Sequence, residues 1–238
     1  RAKAENQHVI VTIFVNPTQF GANEDLSKYP RDLERDLDLL RPLGVDVVWT
    51  PTAEVMYPTG YQTWVEVEAL TNPLEGAMRP GHFRGVTTVV AKLFNATQPT
   101  KAYFGQKDAQ QVAVIRRMAV DLNFPLEVII CPTTREADGL AKSSRNKYLS
   151  EAERKAATVL FRSLSAAKDL YENGEHDAEK LRRKMKEVIA SEPLATMQYV
   201  SCADYDSLQE LDVLTGKALL SMAVYFGKTR LIDNFVLG

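Results

Sequence analysis

"KAYFGQKDAQQVAVIRRMAVDL", residues 101–122, reads as a strand, a polar turn and a helix. The run "KAYF" suits a short buried strand. Beyond it, apolar residues recur at Val112, Ile115, Met118, Ala119 and Leu122, which is helical spacing. Between them "GQKDAQQ" (105–111) concentrates a glycine, a lysine, an aspartate and two glutamines on one strand-to-helix turn. Asp108 with Gln111 three residues on reads as a helix cap with a capping box, and Gly105 as the residue that eases the turn. Capping does not account for Lys107. A helix N-terminus at the carboxyl edge of a parallel sheet favours anions, and an adjacent lysine adds a full charge.

Outward from this turn the same alternation continues. "VIVTIFVN" (9–16) reads as a buried strand. "PRDLERDLDLLRPL" (30–43) reads as a helix opened by Pro30, with Leu33, Leu37 and Leu40 inward. "VDVVWT" (45–50) is the next strand and "TWVEV" (63–67) a further short one. "FRGVTTVVAKLF" (83–94) is a helix striped by Val86, Val89, Val90, Leu93 and Phe94, and "LEVIICPT" (126–133) is a strand. Alternating strands and helices predict an α/β fold, a Rossmann-like parallel sheet covered on both faces, with ligands at the carboxyl ends of the strands.

The character changes near "TTREADGLAKSSRNKYLS" (133–150). Ser150 and Glu153 predict a capping box for a helix to about Asn173, and a second helix spans about Asp177–Ala190. Three strand-like runs follow, "ATMQYVSCADY", "GKALLSMAVYFG" and "TRLIDNFVL". The expected domains are therefore 1–133, Rossmann-like, and 134–238, a smaller α+β domain.

The 238 residues carry 45% hydrophobic and 25% charged side chains and a net charge of −2. That balance gives no global reason to expect nucleic acid or an anionic membrane as partner. No apolar run reaches the ~18 residues of a membrane span. Two cysteines, Cys131 and Cys202, in apolar runs fit a reducing compartment rather than a disulfide. The chain opens "RAKAENQHVIVTIFVN", without an initiator Met and as if partway down a helix, so further residues are expected before Arg1.

Familiar nucleotide motifs are missing. No G-x-G-x-x-G follows a strand, and "FGKT" (226–229) has Met222 where a P-loop needs its first glycine. Three scattered histidines, His8, His82 and His176, form no zinc signature. Four polar clusters instead fall on separate loops. "FVNPTQF" (14–20) offers the amides of Asn16 and Gln19, and "EGAMRPGHFRG" (75–85) offers Glu75, Arg79, His82 and Arg84. The turn at 105–111 is the third. "KSSRN" (142–146) is the fourth, two hydroxyls between a lysine and an arginine suited to phosphate oxygens. Together they predict a site for a polyphosphate and a small polar substrate.

"FVNPTQF", "EGAMRPGHFRGVTTVVAKLF", "AYFGQKDAQQ", "DGLAKSSRNKYLS" and "KTRLIDN" closely resemble the pantoate–β-alanine ligase (pantothenate synthetase) family, in order and spacing over nearly the whole chain. The resemblance implies membership of the nucleotidyltransferase superfamily and a ligase that joins pantoate to β-alanine. ATP would be a substrate, Mg²⁺ a cofactor and a pantoyl-adenylate the intermediate. It also implies a cytoplasmic homodimer whose smaller C-terminal domain acts as a lid.

Position by position, the resemblance gives Gln19 and Gln111 to pantoate, with Asn16 nearby. It gives Lys107 to the ATP phosphates, and Gly105 and Asp108 to the ribose. Thr133 and Lys142 join the ATP contacts. Ser143, Ser144 and Arg145 match the family's version of the K-M-S-K-S loop, so Lys107, Arg145, Ser143 and Ser144 are the expected catalytic groups. Arg79 and His82 line the same cavity, and Asp36 stands where a magnesium-associated acid is found. The family's H-x-G-H signature would lie before Arg1, in a first β–α unit of ~30 or more residues absent from this sequence. Two alternatives stay open: another adenylate-forming enzyme on the same fold, or a truncated, inactive ligand-binding fragment.

Overall fold

The stretch 101–122 folds as strand, turn and helix in the computed structural model, which describes residues 1–21, 26–27 and 29–238. The elements run α1 (Ala2–Glu5), β1 (Ile10–Thr12), α2 (Leu33–Leu40), β2 (Val47–Trp49), α3 (Ala53–Met56), α4 (Glu75–Met78) and α5 (His82–Thr97). β3 (Lys101–Gly105), α6 (Ala109–Asp121) and β4 (Glu127–Cys131) follow. The chain ends with α7 (Glu151–Ala156), α8 (Val159–Glu172), α9 (Ala178–Ala190), β5 (Ala195–Asp204), β6 (Ala218–Phe226) and β7 (Thr229–Leu237).

The chain divides into two compact units, and the division is not a single cut. Unit 1 comprises Arg1–Thr71, Met78–Tyr103 and Val114–Ile129. Unit 2 comprises Asn72–Ala77, Phe104–Ala113 and Ile130–Gly238. β3, α6 and β4 thus each contribute residues to both.

In unit 1, β1 and β2 pair in parallel, with Ile10 opposite Val47 and Thr12 opposite Trp49. The strand expected over 9–16 is only three residues long, and it is not covered on both faces: Ile10 is 44% and Val47 50% exposed. Among the described residues each strand has a single neighbour, and a pair so short cannot bury both faces. α2 is capped by Asp32, whose carboxylate accepts from Arg35 N, rather than opened by Pro30. Leu33 therefore falls at the helix's open end and is exposed, while Leu37 and Leu40 are half-buried. "TWVEV" forms no strand. Its backbone partners are hydroxyls on α5: Val65 N donates to Thr88 Oγ1 at 3.0 Å, and Thr87 Oγ1 donates to Val65 O at 2.6 Å.

α5 buries the expected Val86, Val89, Val90 and Phe94. At Gly85 the helix meets the 3-10 turn Pro17–Gln19 so closely that a Cβ would stand 2.5 Å from Thr18 O. Any side chain there would push turn and helix apart. β3 pairs with β4, and α6 buries Val112, Val114, Ile115, Met118 and Ala119. Leu122, expected in that stripe, is 50% exposed because α6 has ended at Asp121.

Unit 2 contains an antiparallel sheet ordered β5-β6-β7, against which α8 and α9 bury Leu160, Leu164, Leu181, Met185 and Ile189. The central β6 is buried along nearly its whole length, as a strand with neighbours on both edges and covered faces should be. "FGKT" is the two-residue hairpin turn between β6 and β7, with Gly227 at φ +56°, a conformation that favours glycine. Asp177 caps α9, and Ser150 and Glu153 form the expected capping box. The long helix expected from it breaks after Ala156 and resumes at Val159, where Thr158 Oγ1 donates back to Lys155 O at 2.8 Å.

Both cysteines are free, Cys202 buried in β5 and Cys131 half-buried. Burial, partly opposed by Arg182, pushes the Cys202 thiol up to about 11. Only the thiolate is nucleophilic. The native protein is thus expected to titrate slowly or not at all at Cys202 with a thiol reagent at pH 8, and a Cys131→Ser variant isolates that signal. Rapid labelling of Cys202 in the folded variant would contradict the burial described here.

Candidate active site

The predicted site residues fall into two sets, one in each unit. In unit 1, Asn16 is 2% exposed and acts as a hub. Its Oδ1 accepts from Thr18 N at 3.3 Å, Thr18 Oγ1 at 2.9 Å and the Tyr57 hydroxyl at 2.9 Å. Its Nδ2 donates to Gly85 O and to Gln19 Oε1, each at 3.1 Å. Both N–H groups of Asn16 are therefore engaged within the protein, and the side chain sets the pose of Gln19. The carboxamide nitrogen of Gln19 makes no bond to protein among the described residues, so Gln19 is the member of this pair equipped to bind something else.

The other unit 1 residues gather on the backbone of the same turn. His82 Nδ1 lies 2.8 Å and Arg79 Nη2 3.4 Å from Gln19 O, and Arg79 Nη1 lies 3.2 Å from His82 Nε2. A carbonyl can only accept and a guanidinium can only donate. Those two facts select the neutral His82 tautomer with its proton on Nδ1. Asp36 sits half-buried on α2, in a run with Glu34 and Asp38. Among the described residues, no three His, Cys, Asp or Glu side chains gather into a metal cage.

In unit 2 the turn after β3 is a 3-10 segment, Gln106–Asp108, that feeds α6. Asp108 lies inside this turn rather than capping the helix as expected; Gly105 is the residue that precedes it. Gly105 has φ −80° and ψ 135°, which any residue adopts, so the turn does not need a glycine for its conformation. A Cβ added there would meet nothing within 4 Å. Lys107 is mostly covered, its Nζ 3.7 Å from Asp108 Oδ1, while Asp108 is exposed. Gln111 follows half-buried, one residue beyond Gln110, which is buried and tied to Glu75 N and Pro73 O.

Past β4, Arg135 bridges Ala141, and Lys142 N donates to Thr134 O at 2.9 Å, a tight hairpin that presents the next loop. Ser143 caps the 3-10 turn Ser144–Tyr148 by accepting from Arg145 N at 3.2 Å. An open cleft of about 550 Å³ is lined there by Glu136, Lys142, Ser143, Ser144, Asn146, Lys147 and Arg154. Three of these side chains are cationic and one is acidic. Arg154 also reaches Asp138 at 2.7 and 3.2 Å, which holds that carboxyl below its usual range. Asn146 Oδ1 and Thr133 Oγ1 are buried without a hydrogen-bond partner. Of the two, Asn146 lines the cleft, and an orphaned polar atom beside a cationic cleft is what a bound polar ligand or water would satisfy.

This arrangement suits an anion with several oxygens. The family model described as pantoate-beta-alanine ligase matches residues 1–236. The chain belongs to that family. The pantothenate synthetase of Roseiflexus castenholzii is 62% identical over 237 residues, covering 100% of this chain and 85% of that protein. A crystal structure of pantothenate synthetase from Thermus thermophilus superposes with a TM-score of 0.95 at 47% identity, covering 98% of this chain and 84% of that one. A pantoate-beta-alanine ligase from Francisella tularensis, crystallised with a β,γ-ATP ligand and β-alanine, gives a TM-score of 0.78 at 38% identity over 99% of this chain and 81% of that one. The fold is thus the mixed α/β fold of this ligase family, with parallel pairing in one part and a separate antiparallel sheet.

Several residues that build the site escaped the sequence reading. Tyr57 holds Asn16, Gln110 holds the segment before α4, and Arg135, Arg230, Asp233 and Asn234 brace unit 2. Of these, only Arg230, Asp233 and Asn234 had a visible signal, the motif "KTRLIDN".

Proposed function

We propose that this protein condenses pantoate with β-alanine at the expense of ATP, giving pantothenate, AMP and pyrophosphate through a pantoyl-adenylate. The observation that carries the reading is the family match across residues 1–236, which takes in all four polar clusters. In the first step a pantoate carboxylate oxygen attacks the α-phosphorus, the new O–P bond forms and the bond to pyrophosphate breaks. Lys107 and Arg145 offset charge on the phosphate oxygens and the leaving group, and Ser143 and Ser144 hold those oxygens. Gly105, Asp108, Thr133 and Lys142 complete the nucleotide contacts, and the open space over Gly105 supports close approach of a ligand to the backbone. Gln19 and Gln111 orient pantoate, Arg79 and His82 fix the turn that carries Gln19, and alignment of the weak carboxylate nucleophile does much of the work.

In the second step the neutral amine of β-alanine attacks the acyl carbon, AMP leaves and the amine loses a proton. Magnesium travelling with the triphosphate would supply charge neutralisation. Magnesium keeps several waters and uses one or two carboxylates plus phosphates rather than an all-protein cage. Asp36 is the carboxylate assigned to it. A cytoplasmic homodimer belongs to the same reading. Among the described residues, no helix is long and apolar enough to cross a membrane.

The full-length protein is expected to exchange pyrophosphate into ATP in the presence of pantoate alone, and to release AMP when β-alanine is added. Exchange that is indifferent to pantoate, or stronger with another acid, would transfer the protein to a different adenylate-forming activity. Gln19→Ala is expected to raise the pantoate KM by about 10-fold or more while moving the ATP KM less than about 3-fold, as loss of an uncharged amide contact costs about 1–2 kcal/mol. Equal changes in the two constants would refute the assignment of Gln19 to pantoate.

A further inference from the structure

The motif "KTRLIDN" spans residues 228–234. It forms most of β7, which pairs with β6 and is an edge strand of the antiparallel sheet. Asp233 and Asn234, consecutive on that strand, are only 2% and 4% exposed. Their partners, all in unit 2, are the backbones and side chains that present the phosphate-binding loops.

We propose that Asn234 is a positioning residue for adenylate formation: its side-chain amide fixes the backbone on both sides of Lys107 and thereby holds that lysine at the triphosphate. The inference rests on the assignment of Lys107 given above. Asn234 Nδ2 donates to Gln106 O at 3.0 Å and to Lys107 O at 2.8 Å, while Oδ1 accepts from Gln106 Nε2 at 3.0 Å. One carbonyl belongs to the peptide plane preceding the Cα of Lys107, the other to the plane following it. A residue has only two soft backbone dihedrals, and fixing both flanking planes sets both of them.

Such an outside clamp has a physical purpose here. Gln106–Asp108 is a 3-10 turn, whose own hydrogen bonds have poorer geometry than those of an α-helix. Asn234 is itself held. Its N–H donates to Asp233 Oδ1 at 2.8 Å, and Asp233 takes a two-pronged ion pair from Arg135 at 2.6 and 2.9 Å. The Arg135 guanidinium lies 5.1 Å from the centres of both the Phe161 and Phe235 rings, and it also donates to Gly139 O at 3.0 Å. The anchor of the Lys107 turn is thus a rigid strand tied to the hairpin that carries Lys142–Arg145.

The test measures pantoate-dependent ATP–pyrophosphate exchange and thermal midpoint for the full-length protein and its Asn234→Ala, Asn234→Ser, Asn234→Asp, Lys107→Ala and Asn234→Ala/Lys107→Ala variants. Asn234→Ala is expected to lower the exchange kcat by about 10- to 100-fold, as misplacement of a charge partner by an ångström does, with the pantoate KM changed less than about 2-fold. Asn234→Asp keeps the shape but turns an acceptor toward two carbonyls, and at least an equal loss is expected. Asn234→Ser, which can satisfy one carbonyl, should fall between and guards against a variant that fails to fold. In the Lys107→Ala background the Asn234→Ala change should add less than about 3-fold, because residues acting through one another are not additive.

An activity loss that only tracks the folded fraction, or a full additional loss in the Lys107→Ala background, would overturn the role proposed for Asn234. Exchange untouched by Lys107→Ala would overturn the Lys107 assignment and this inference together, so the two failures are distinguishable.

Discussion

Replacing Lys107 with alanine is expected to slow pantoate-dependent ATP–pyrophosphate exchange by ~10²- to 10³-fold, the usual cost of removing a preorganised group from a developing charge. The side chain is only 20% exposed, in a setting where an amine needs a reason to be covered. Its neighbour Asp108 stands 3.7 Å away and is itself exposed, so that pair is too loose and too wet to be the reason. The fold should tolerate the change, because the turn is held by backbone carbonyls and the Asn234 amide rather than by the lysine ammonium. Circular dichroism and melting should therefore stay close to the parent while exchange collapses. Arginine at this position would restore charge but spread it over a plane that a compact phosphate cradle is not shaped to take, so Lys107→Arg should recover only part of the rate. An alanine variant within a few-fold of the parent would remove Lys107 from the mechanism.

What the sequence made legible follows the range of the interactions involved. The three strands β5–β7 carry long apolar runs, and Asp177 and Ser150 declare their helices by local capping chemistry, so these elements could be read within a few residues. The segment "TWVEV" has the composition of a strand, yet its backbone bonds go to threonine hydroxyls some 22 residues downstream, which no local pattern encodes. The site divides the same way. Lys107 and the loop 142–145 stand out because charged and hydroxyl side chains cluster beside glycine and turn signals. The side chains that aim them do not, since Arg135 meets Asp233 across 98 residues and Asn234 meets Lys107 across 127. Asn16 is a different case. An amide at the end of a strand resembles a ligand contact, but once Tyr57, Thr18, Gly85 and Gln19 surround it, its donors are consumed.

Arg230→Ala is expected to destabilise unit 2 by roughly 3–5 kcal/mol, the cost of leaving one partner of a buried ion pair uncompensated. Arg230 and Glu75 side chains are only 17% and 11% exposed, and two guanidinium N–H groups meet the two carboxylate oxygens at 2.7 Å each. Arg230 Nε also donates to Gln198 Oε1 at 2.7 Å, and the Tyr199 hydroxyl donates to Glu75 Oε1 at 2.8 Å. Burial, with the Glu75 charge beside it, pushes Tyr199 well above its usual range, so its hydroxyl remains a proton donor to Glu75 throughout the working pH span. Without Arg230, the Glu75 carboxylate would lose its two-pronged charge partner while retaining the Tyr199 hydroxyl. The consequence is not confined to one pair, because Glu75 lies in Asn72–Ala77, a segment belonging to unit 2 although the chain on either side of it belongs to unit 1. Gln110 also ties this segment, its Oε1 accepting from Glu75 N at 2.9 Å. Denaturant unfolding of Arg230→Ala, Glu75→Ala and the apolar double variant Arg230→Met/Glu75→Leu separates the explanations. The double variant buries no unpaired charge, so it should be more stable than either single variant and within about 1–2 kcal/mol of the parent. Losses that simply add would mean that the two side chains do not depend on each other, and would overturn the ion pair as the source of the stability.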